Sequence, residues 1–434
     1  MKIHILAICG VMTTPLALEL KKQGHQVSGS EQDKIYPPFS TQLQKAKIPI
    51  NQTPINSKID LYIIGSAYKN IPKTLNEFEQ ITKQKLKYIS ATNYIAQYIA
   101  KNESILIAGS YGKTTITALC VWILKNAQLK PSYMIGGQPI NNFPSLEISD
   151  SPWSVIEADE SINGLDTKAK FLYYPVKHVI ITSTNWEHKD CYPTNKDNLN
   201  AYKNLIQKIP KDGFLIYNQN DSALKKLTKY CIGTSIPYQT KTNIPNKLIG
   251  QFNQENISAA STLCHHMGIP LKIITQSISG YLGIKRRLET IGDYQNILFI
   301  DDFAQNPNRI YSTINAIKQQ YPKHPIKVYF EPHASFILTK TGLKGFKQAF
   351  SHVQEVILSQ IPYKNTISKS KRSTAKDFKS EIGDKLIYLP LNQTIEKHFI
   401  NSLNKQDILV HFSSGGLDGL NTLKKIINYY KLKK

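Results

Sequence analysis

The sequence predicts an α/β protein of three successive domains, each built on an open, largely parallel sheet. Two observations carry that prediction. Short apolar runs alternate with helical stretches along the chain, the signature of strand–helix–strand units. The apolar run "SILIAGS" also passes through a glycine turn straight into the helical stretch "KTTITALCVWILKNAQ", the order of a P-loop domain. The expected plan is a Rossmann-like domain over 1–100, a central P-loop ATPase domain over 101–286 and a Rossmann-like domain over 287–434.

The elements follow in chain order. In the first segment the strands are "KIHILAI", "HQVSGS", "DLYIIGSA" and "KYIS". The helix near Thr14-Pro15 has a capping threonine and a proline suited to a first turn. The second segment adds strands "WSVIEADE", "HVIITST" and "GFLIYNQ" and the helix "NQENISAASTLCHHMG". In the third, "NILFIDDFA", "IKVYFEP", "EVILSQ", "KLIYLP" and "DILVHFSSGG" read as strands of another parallel sheet. "SKSKRSTAKDF" reads as an exposed basic loop.

Composition narrows the function. A 434-residue chain with 41% hydrophobic and 20% charged residues fits soluble globular domains. No apolar run approaches the ~20 residues of a membrane helix, so no membrane partner is expected. "MKIHILAICGV" reads as a buried first strand rather than a signal peptide. The five cysteines (Cys9, Cys120, Cys191, Cys231 and Cys264) show no CxxC spacing, which points to a reducing cytoplasm and away from disulfides or structural zinc. The formal charge of +23 is spread along the chain without an aromatic-interleaved basic motif. It reads as compositional bias compatible with acidic small-molecule substrates, not as a nucleic-acid partner.

The candidate sites lie where strands end, since ligands of open parallel sheets gather there. In Gly109-Ser110-Tyr111-Gly112-Lys113-Thr114-Thr115 the glycines let amides turn toward phosphate oxygens, and the following helix adds its positive end. Lys113 is placed to reach β- and γ-phosphates and Thr114 to bind Mg²⁺. The usual first glycine of such a loop is absent, because position 107 is Ile107. Glu157, Asp159 and Glu160 end a buried strand and are hard oxygen ligands suited to Mg²⁺. Glu187, His188 and Asp190 cluster after another strand, as candidates for metal or phosphate contact. Asp301 and Asp302 end a third strand, where an acid can hold a ribose hydroxyl. Cys9 and Gly10 open a turn with one glycine of a dinucleotide fingerprint, and Glu31 stands about 20 residues on like a ribose-binding acid.

Taken in order, these motifs resemble the Mur ligases, ATP-dependent amide-forming ligases of peptidoglycan synthesis, over essentially the whole chain. The family's phosphate loop is short, G-T-[NH]-G-K-T-T, which accounts for the missing glycine; Tyr111 departs from it. Glu157-Ala158-Asp159-Glu160 matches the E-A-D-E of muramate-binding members. The resemblance implies ATP and Mg²⁺, with metal on Thr114, Glu157 and His188. "GQFNQENISAA" implies Asn253 and Asn256 near adenine, "GIKRRLE" implies Arg287 on the ATP phosphates, and Asp302 falls at the ribose aspartate. Lys113, Glu157, His188 and Arg287 are the implied catalytic set. UDP-N-acetylmuramate would lie near Cys9, Gly10, Ser30 and Glu31, and the incoming amine near His333, Ser335, Ser414 and Gly415.

Two members of the family compete. One joins L-alanine to UDP-N-acetylmuramate. The other serves peptidoglycan recycling and joins the tripeptide L-Ala-γ-D-Glu-meso-diaminopimelate to the same nucleotide sugar. "HILAICG", the Tyr36-Pro37-Pro38 step, "FEPHASF" and "FSSGGLDGL" favour the second. Ser183, Asn185, Gln305, Asn306, Phe252 and His333 depart from family residues, and the changes at Ser183, Gln305, Asn306 and His333 leave open a weakened relative that binds the nucleotide sugar. The resemblance further implies a cytoplasmic enzyme of cell-wall biogenesis, cell shape and division, acting as a monomer or weak homodimer.

Overall fold

The computed structural model describes residues 1–432 except 34, 36–38, 53–54, 56–57, 187–190, 240–242, 364–366 and 416. The Tyr36-Pro37-Pro38 step and Glu187, His188 and Asp190 lie outside the described residues. The chain forms two compact units. The first comprises Met1–Ile35 and Phe39–Ile284, and the second includes Lys285–Lys434.

The first unit holds two sheets. In one, β1 (Lys2–Leu6), β2 (Gln26–Ser30), β3 (Leu61–Ile64) and β4 (Tyr88–Ser90) run parallel in the order β2-β1-β3-β4. In the other, β5 (Glu103–Ala108) is flanked by β8 (Trp153–Glu157) and β9 (His178–Ile181). The order continues outward through β6 (Ser132–Met134) and β7 (Leu146–Glu147) on one side, and through β10 (Phe214–Asn218) and β11 (Thr234–Tyr238) on the other. β7 is antiparallel to β6, an exception to the parallel pattern.

The middle position of β5 explains its sequence. Ile105, Leu106, Ile107 and Ala108 are fully buried, as a parallel strand covered on both faces requires. Burying each large side chain contributes about 1.5–3 kcal/mol. The helix Lys113–Asn126 that follows is apolar on most sides and packs against the helix Gln251–His266. The loop joining β5 to its helix is thus clamped by core on both sides.

The second unit carries β12 (Glu289–Tyr294), β13 (Ile297–Asp302), β14 (Ile326–Glu331), β15 (Glu355–Leu358), β16 (Leu386–Tyr388) and β17 (Ile408–Ser413), in the order β12-β13-β17-β14-β15-β16. β12 is antiparallel to β13, so this sheet is mixed rather than wholly parallel.

Two local expectations are corrected. The first helix starts at Thr13, and its cap position, Met12, makes no side-chain capping bond. Thr13 and Thr14 turn their hydroxyls back to Ile8 O instead, at 3.1 and 2.8 Å. The segment 368–378 is not simply a basic loop. It contains a 3-10 turn at Lys369–Lys371 and the start of the helix Ala375–Ile382, whose Phe378 is buried. The Thr374–Asp377 capping box is the signal that identifies this helix.

Candidate active site

The phosphate-type loop sits at the carboxyl end of β5, where neighbouring strands continue to both sides. Gly109 has φ +114° and Gly112 has φ +77°, conformations open to glycine at little cost. Ser110 donates its amide to Ser183 Oγ at 3.2 Å and its hydroxyl to Asn185 O at 2.8 Å. Thr182 Oγ1 donates to Tyr111 O at 2.5 Å. The tip of β9 therefore shapes the loop, with Ser183 filling that role. Tyr111 is exposed, and Thr115 is half-buried in the first helical turn.

Around this loop the acidic strand end of β8 converges. Lys113 Nζ lies 2.8 Å from Glu160 Oε2 and 3.6 Å from Asp159 Oδ1. Burial alone would lower the Lys113 pKa, but Glu160 and Asp159 outweigh it and hold the ammonium above its usual value. Thr114 Oγ1 donates to Glu157 Oε1 at 3.0 Å, and Gly136 N–H donates to Glu157 Oε2 at 2.6 Å. Burial would raise Asp159, yet Lys170 and Lys113 hold its carboxyl well below the usual range. Lys170 was not anticipated from the sequence. It returns to the site through a chain reversal that no spacing rule exposes.

Asn253 and Asn256 are buried in the first turns of the helix Gln251–His266. Asn253 Nδ2 donates to Ile249 O at 2.8 Å, and Asn256 Nδ2 to Asn253 Oδ1 at 3.1 Å. The Asn256 carboxamide fills the space where a Gly112 side chain would stand. The structure therefore gathers Gly109–Thr115, Glu157, Asp159, Glu160, Asn253 and Asn256 at one end of the central sheet.

At the carboxyl end of β1 the structure brings together Cys9, Gly10, Ser30 and Glu31. Cys9 N–H donates to Glu31 Oε2 at 3.0 Å, and Gly10 N–H to Thr13 Oγ1 at 3.1 Å. Ser30 is buried, and its carbonyl accepts from Ile8 N–H at 3.2 Å. Burial, then Glu31, pushes the Cys9 thiol up to about 12, away from the thiolate form.

The second unit has its own polar assembly. Arg287 is exposed, whereas the neighbouring Arg286 is half-buried with Nε 3.2 Å from Asp301 Oδ2. Arg286 also donates to Ser413 O at 2.6 Å and Gly415 O at 3.2 Å. His411 bridges Asp301 (2.8 Å) and Glu331 (3.0 Å) across β13, β17 and β14. Asp302 is buried, accepting from Leu288 N–H and Ala304 N–H at 2.7 Å each. Burial raises its pKa to about 6 despite those bonds.

His333 and Gly415 are close neighbours, the imidazole lying over the glycine backbone. Gln305 Oε1 accepts from His333 N–H at 2.7 Å, and Gln305 Nε2 donates to Glu331 O at 3.1 Å. Ser335 is exposed and Ser414 half-buried. Arg286, Glu331 and His411 were missed because only the strand order of the sheet brings them together.

A strand, a glycine loop and a helix in succession, with carboxylates from the adjacent strand, follow the plan of nucleotide-using enzymes of the α/β class. Known proteins make this specific. Residues 2–103 match the "Mur ligase family, catalytic domain", and residues 107–242 match the "Mur ligase middle domain". The chain belongs to the Mur ligase family and is an ATP-dependent, amide-bond-forming ligase.

Among its relatives is the UDP-N-acetylmuramate–L-alanyl-gamma-D-glutamyl-meso-2,6-diaminoheptandioate ligase of Escherichia coli (strain K12). It is 28% identical over 349 residues, covering 73% of this chain and 76% of its own. The UDP-N-acetylmuramate–L-alanine ligase of Pelagibacter ubique is 27% identical over 453 residues, covering 95% of each. The crystal structure of the UDP-N-acetylmuramate–alanine ligase of Thermotoga maritima superposes with a TM-score of 0.78, at 19% identity and covering 100% of both chains. This confirms the fold class: three α/β sheets, as in Mur ligases. Among the described residues no helix is long and apolar enough to cross a membrane.

Proposed function

We propose that this ligase joins the tripeptide L-Ala-γ-D-Glu-meso-diaminopimelate to UDP-N-acetylmuramate, in peptidoglycan recycling in the cytoplasm. The observation that carries the ATP half of the reading is the joint placement of Lys113 and the Thr114–Glu157 pair at the carboxyl ends of the adjacent strands β5 and β8. The muramoyl carboxylate attacks the γ-phosphorus of ATP, forming an acyl phosphate and releasing ADP. The tripeptide α-amine then attacks the acyl carbon. The C–N bond forms, the acyl C–O bond breaks with its electron pair leaving on inorganic phosphate, and the amine's proton passes to the departing phosphate or solvent. Such transfer depends on positioning and charge neutralisation, which Lys113 and, by resemblance to the family, Arg287 would supply.

The donor set beside the loop fits Mg²⁺. Thr114 and Glu157 offer a hydroxyl and a carboxylate within 3.0 Å of each other, both hard oxygen ligands. With His188 they would hold Mg²⁺, which when bound neutralises phosphate charge. Asn253 and Asn256 would face adenine and Asp302 the ribose. Cys9, Gly10, Ser30 and Glu31 would hold the UDP-sugar in the domain 1–100. ATP would sit in 101–286, and His333, Ser335, Ser414 and Gly415 would receive the acceptor in 287–434.

A second reading is the L-alanine ligase of de novo synthesis. It is favoured by relatives of that kind that cover 95% of the chain, against 73% for the tripeptide ligases. Phosphate release with each acceptor, with mass analysis of the product, separates the two. L-alanine turnover without tripeptide turnover selects the second reading.

A further inference from the structure

Beyond the tip of β8 the chain doubles back between Ser161 and Lys170. Ile162 and Ala169 form an antiparallel bridge, and Lys170 N–H donates to Ser161 O at 3.0 Å. Buried Phe171 anchors the returning limb, its amide donating to Asp159 O at 3.2 Å. At the tip, Gly164 has φ +95°, and a Cβ there would lie 3.1 Å from Ser66 Cα, just after β3. The bridge, the Lys170–Ser161 bond and buried Phe171 set where Lys170 stands.

That position is beside the phosphate loop. The Lys170 side chain is 10% exposed, with Nζ donating to Ser161 Oγ at 2.7 Å and Asp159 Oδ2 at 3.1 Å. The other Asp159 oxygen lies 3.6 Å from Lys113 Nζ, which has Glu160 at 2.8 Å. Asp159 is thus shared between two ammonium groups. Without Lys170, two carboxylates would compete for Lys113 in a poorly solvated site, where attraction between charges is strong. Binding a triphosphate would then mean drawing Lys113 from both and setting an uncompensated carboxylate against the phosphates. With Lys170 present, the charges of Lys113, Lys170, Asp159 and Glu160 balance.

We propose that Lys170 is a positioning residue for ATP use: by holding Asp159, it leaves Lys113 available to the triphosphate. This rests on the loop 109–115 being the ATP phosphate site. Lys170 acts through Asp159 and need not touch substrate.

Calorimetric binding of the non-hydrolysable analogue AMPPNP to the full chain tests this. Lys113→Ala comes first: binding lost by about 30-fold or more supports the loop reading, and unchanged binding overturns that reading and the inference with it. With the loop established, Lys170→Met is expected to weaken binding about tenfold, and Lys170→Arg to stay within about threefold of wild type. The double variant Asp159→Asn/Lys170→Met should recover to within about threefold of wild type, because the carboxylate left competing for Lys113 is gone. A lysine that merely staples the reversal gives no such recovery. Binding unchanged in Lys170→Met, or a double variant as weak as the single, overturns the inference alone. If Lys170→Met does not fold, Lys170→Gln decides: the inference expects the same loss of about tenfold, and unchanged binding contradicts it.

Discussion

Thr114 donates its hydroxyl to Glu157 at 3.0 Å, while Gly136 N–H holds the second oxygen of the same carboxylate at 2.6 Å. Glu157 is therefore aimed beside the phosphate loop by the backbone of one neighbouring strand and a side chain of the loop helix. Glu157→Gln keeps the shape and removes the charge. Phosphate release across a Mg²⁺ titration should fall about 100-fold or more. Near wild-type turnover at low Mg²⁺ would take Glu157 out of the metal site.

Lys113→Ala should reduce turnover by about 10³-fold. It also removes a cation from Glu160, which is 2% exposed. The variant should therefore lose about 1–3 kcal/mol of stability in urea melts. Wild-type kcat in this variant would contradict the phosphate role.

Gly109 and Gly112 cannot take side chains cheaply. At Gly109, with φ +114°, a Cβ would lie 2.8 Å from Ser183 N, a backbone atom. At Gly112, with φ +77°, it would meet the Asn256 carboxamide. Alanine at either position should cost about 1–3 kcal/mol and weaken nucleotide binding. Gly24, whose φ is +86° but whose surroundings are open, is the control, and alanine there should leave nucleotide binding unchanged.

Gln305 ties His333 N–H to the end of β14 through bonds of 2.7 and 3.1 Å. If the 333–335 turn receives the acceptor, Gln305→Ala should raise the acceptor KM about tenfold and leave the ATP KM within about twofold. Equal effects on both would contradict an acceptor-specific turn.

Stability should peak near neutral pH. Burial, then Lys73 for His4 and Lys177 for His178, lowers each imidazole to about 4. The unfolded chain binds those protons near pH 6.5, so stability falls as pH drops from about 6.5 to about 4, by up to about 3 kcal/mol per histidine. His411 has the opposite sign. Burial lowers it, but its bonds to Asp301 and Glu331 prevail and raise it to about 9. Its contribution is complete below about pH 6.5 and is lost as pH rises toward 9. Melts of His411→Gln should lack that alkaline decline while keeping the acid one.

What the sequence made legible was local. β5 reads as a buried run because every residue from Ser104 to Ala108 is buried, and the glycine loop reads because its strand and helix adjoin it. Glu157 is legible because it ends a strand. Lys170 is not, since its place depends on the reversal that its own amide closes on Ser161 O. His411 was hidden inside an apolar strand, and its partners Asp301 and Glu331 lie 110 and 80 residues away. Two adjacent arginines in "KRR" look alike in sequence, yet Arg286 takes the buried ion pair and Arg287 stays exposed. Such distinctions arise from strand order and backbone direction, which residue spacing does not encode.

The most direct test is phosphate release by the full chain with ATP, Mg²⁺ and UDP-N-acetylmuramate, offered the tripeptide L-Ala-γ-D-Glu-meso-diaminopimelate or L-alanine. The account predicts release and a UDP-N-acetylmuramoyl-tripeptide product with the tripeptide. Release with L-alanine alone, or with neither acceptor, would contradict it.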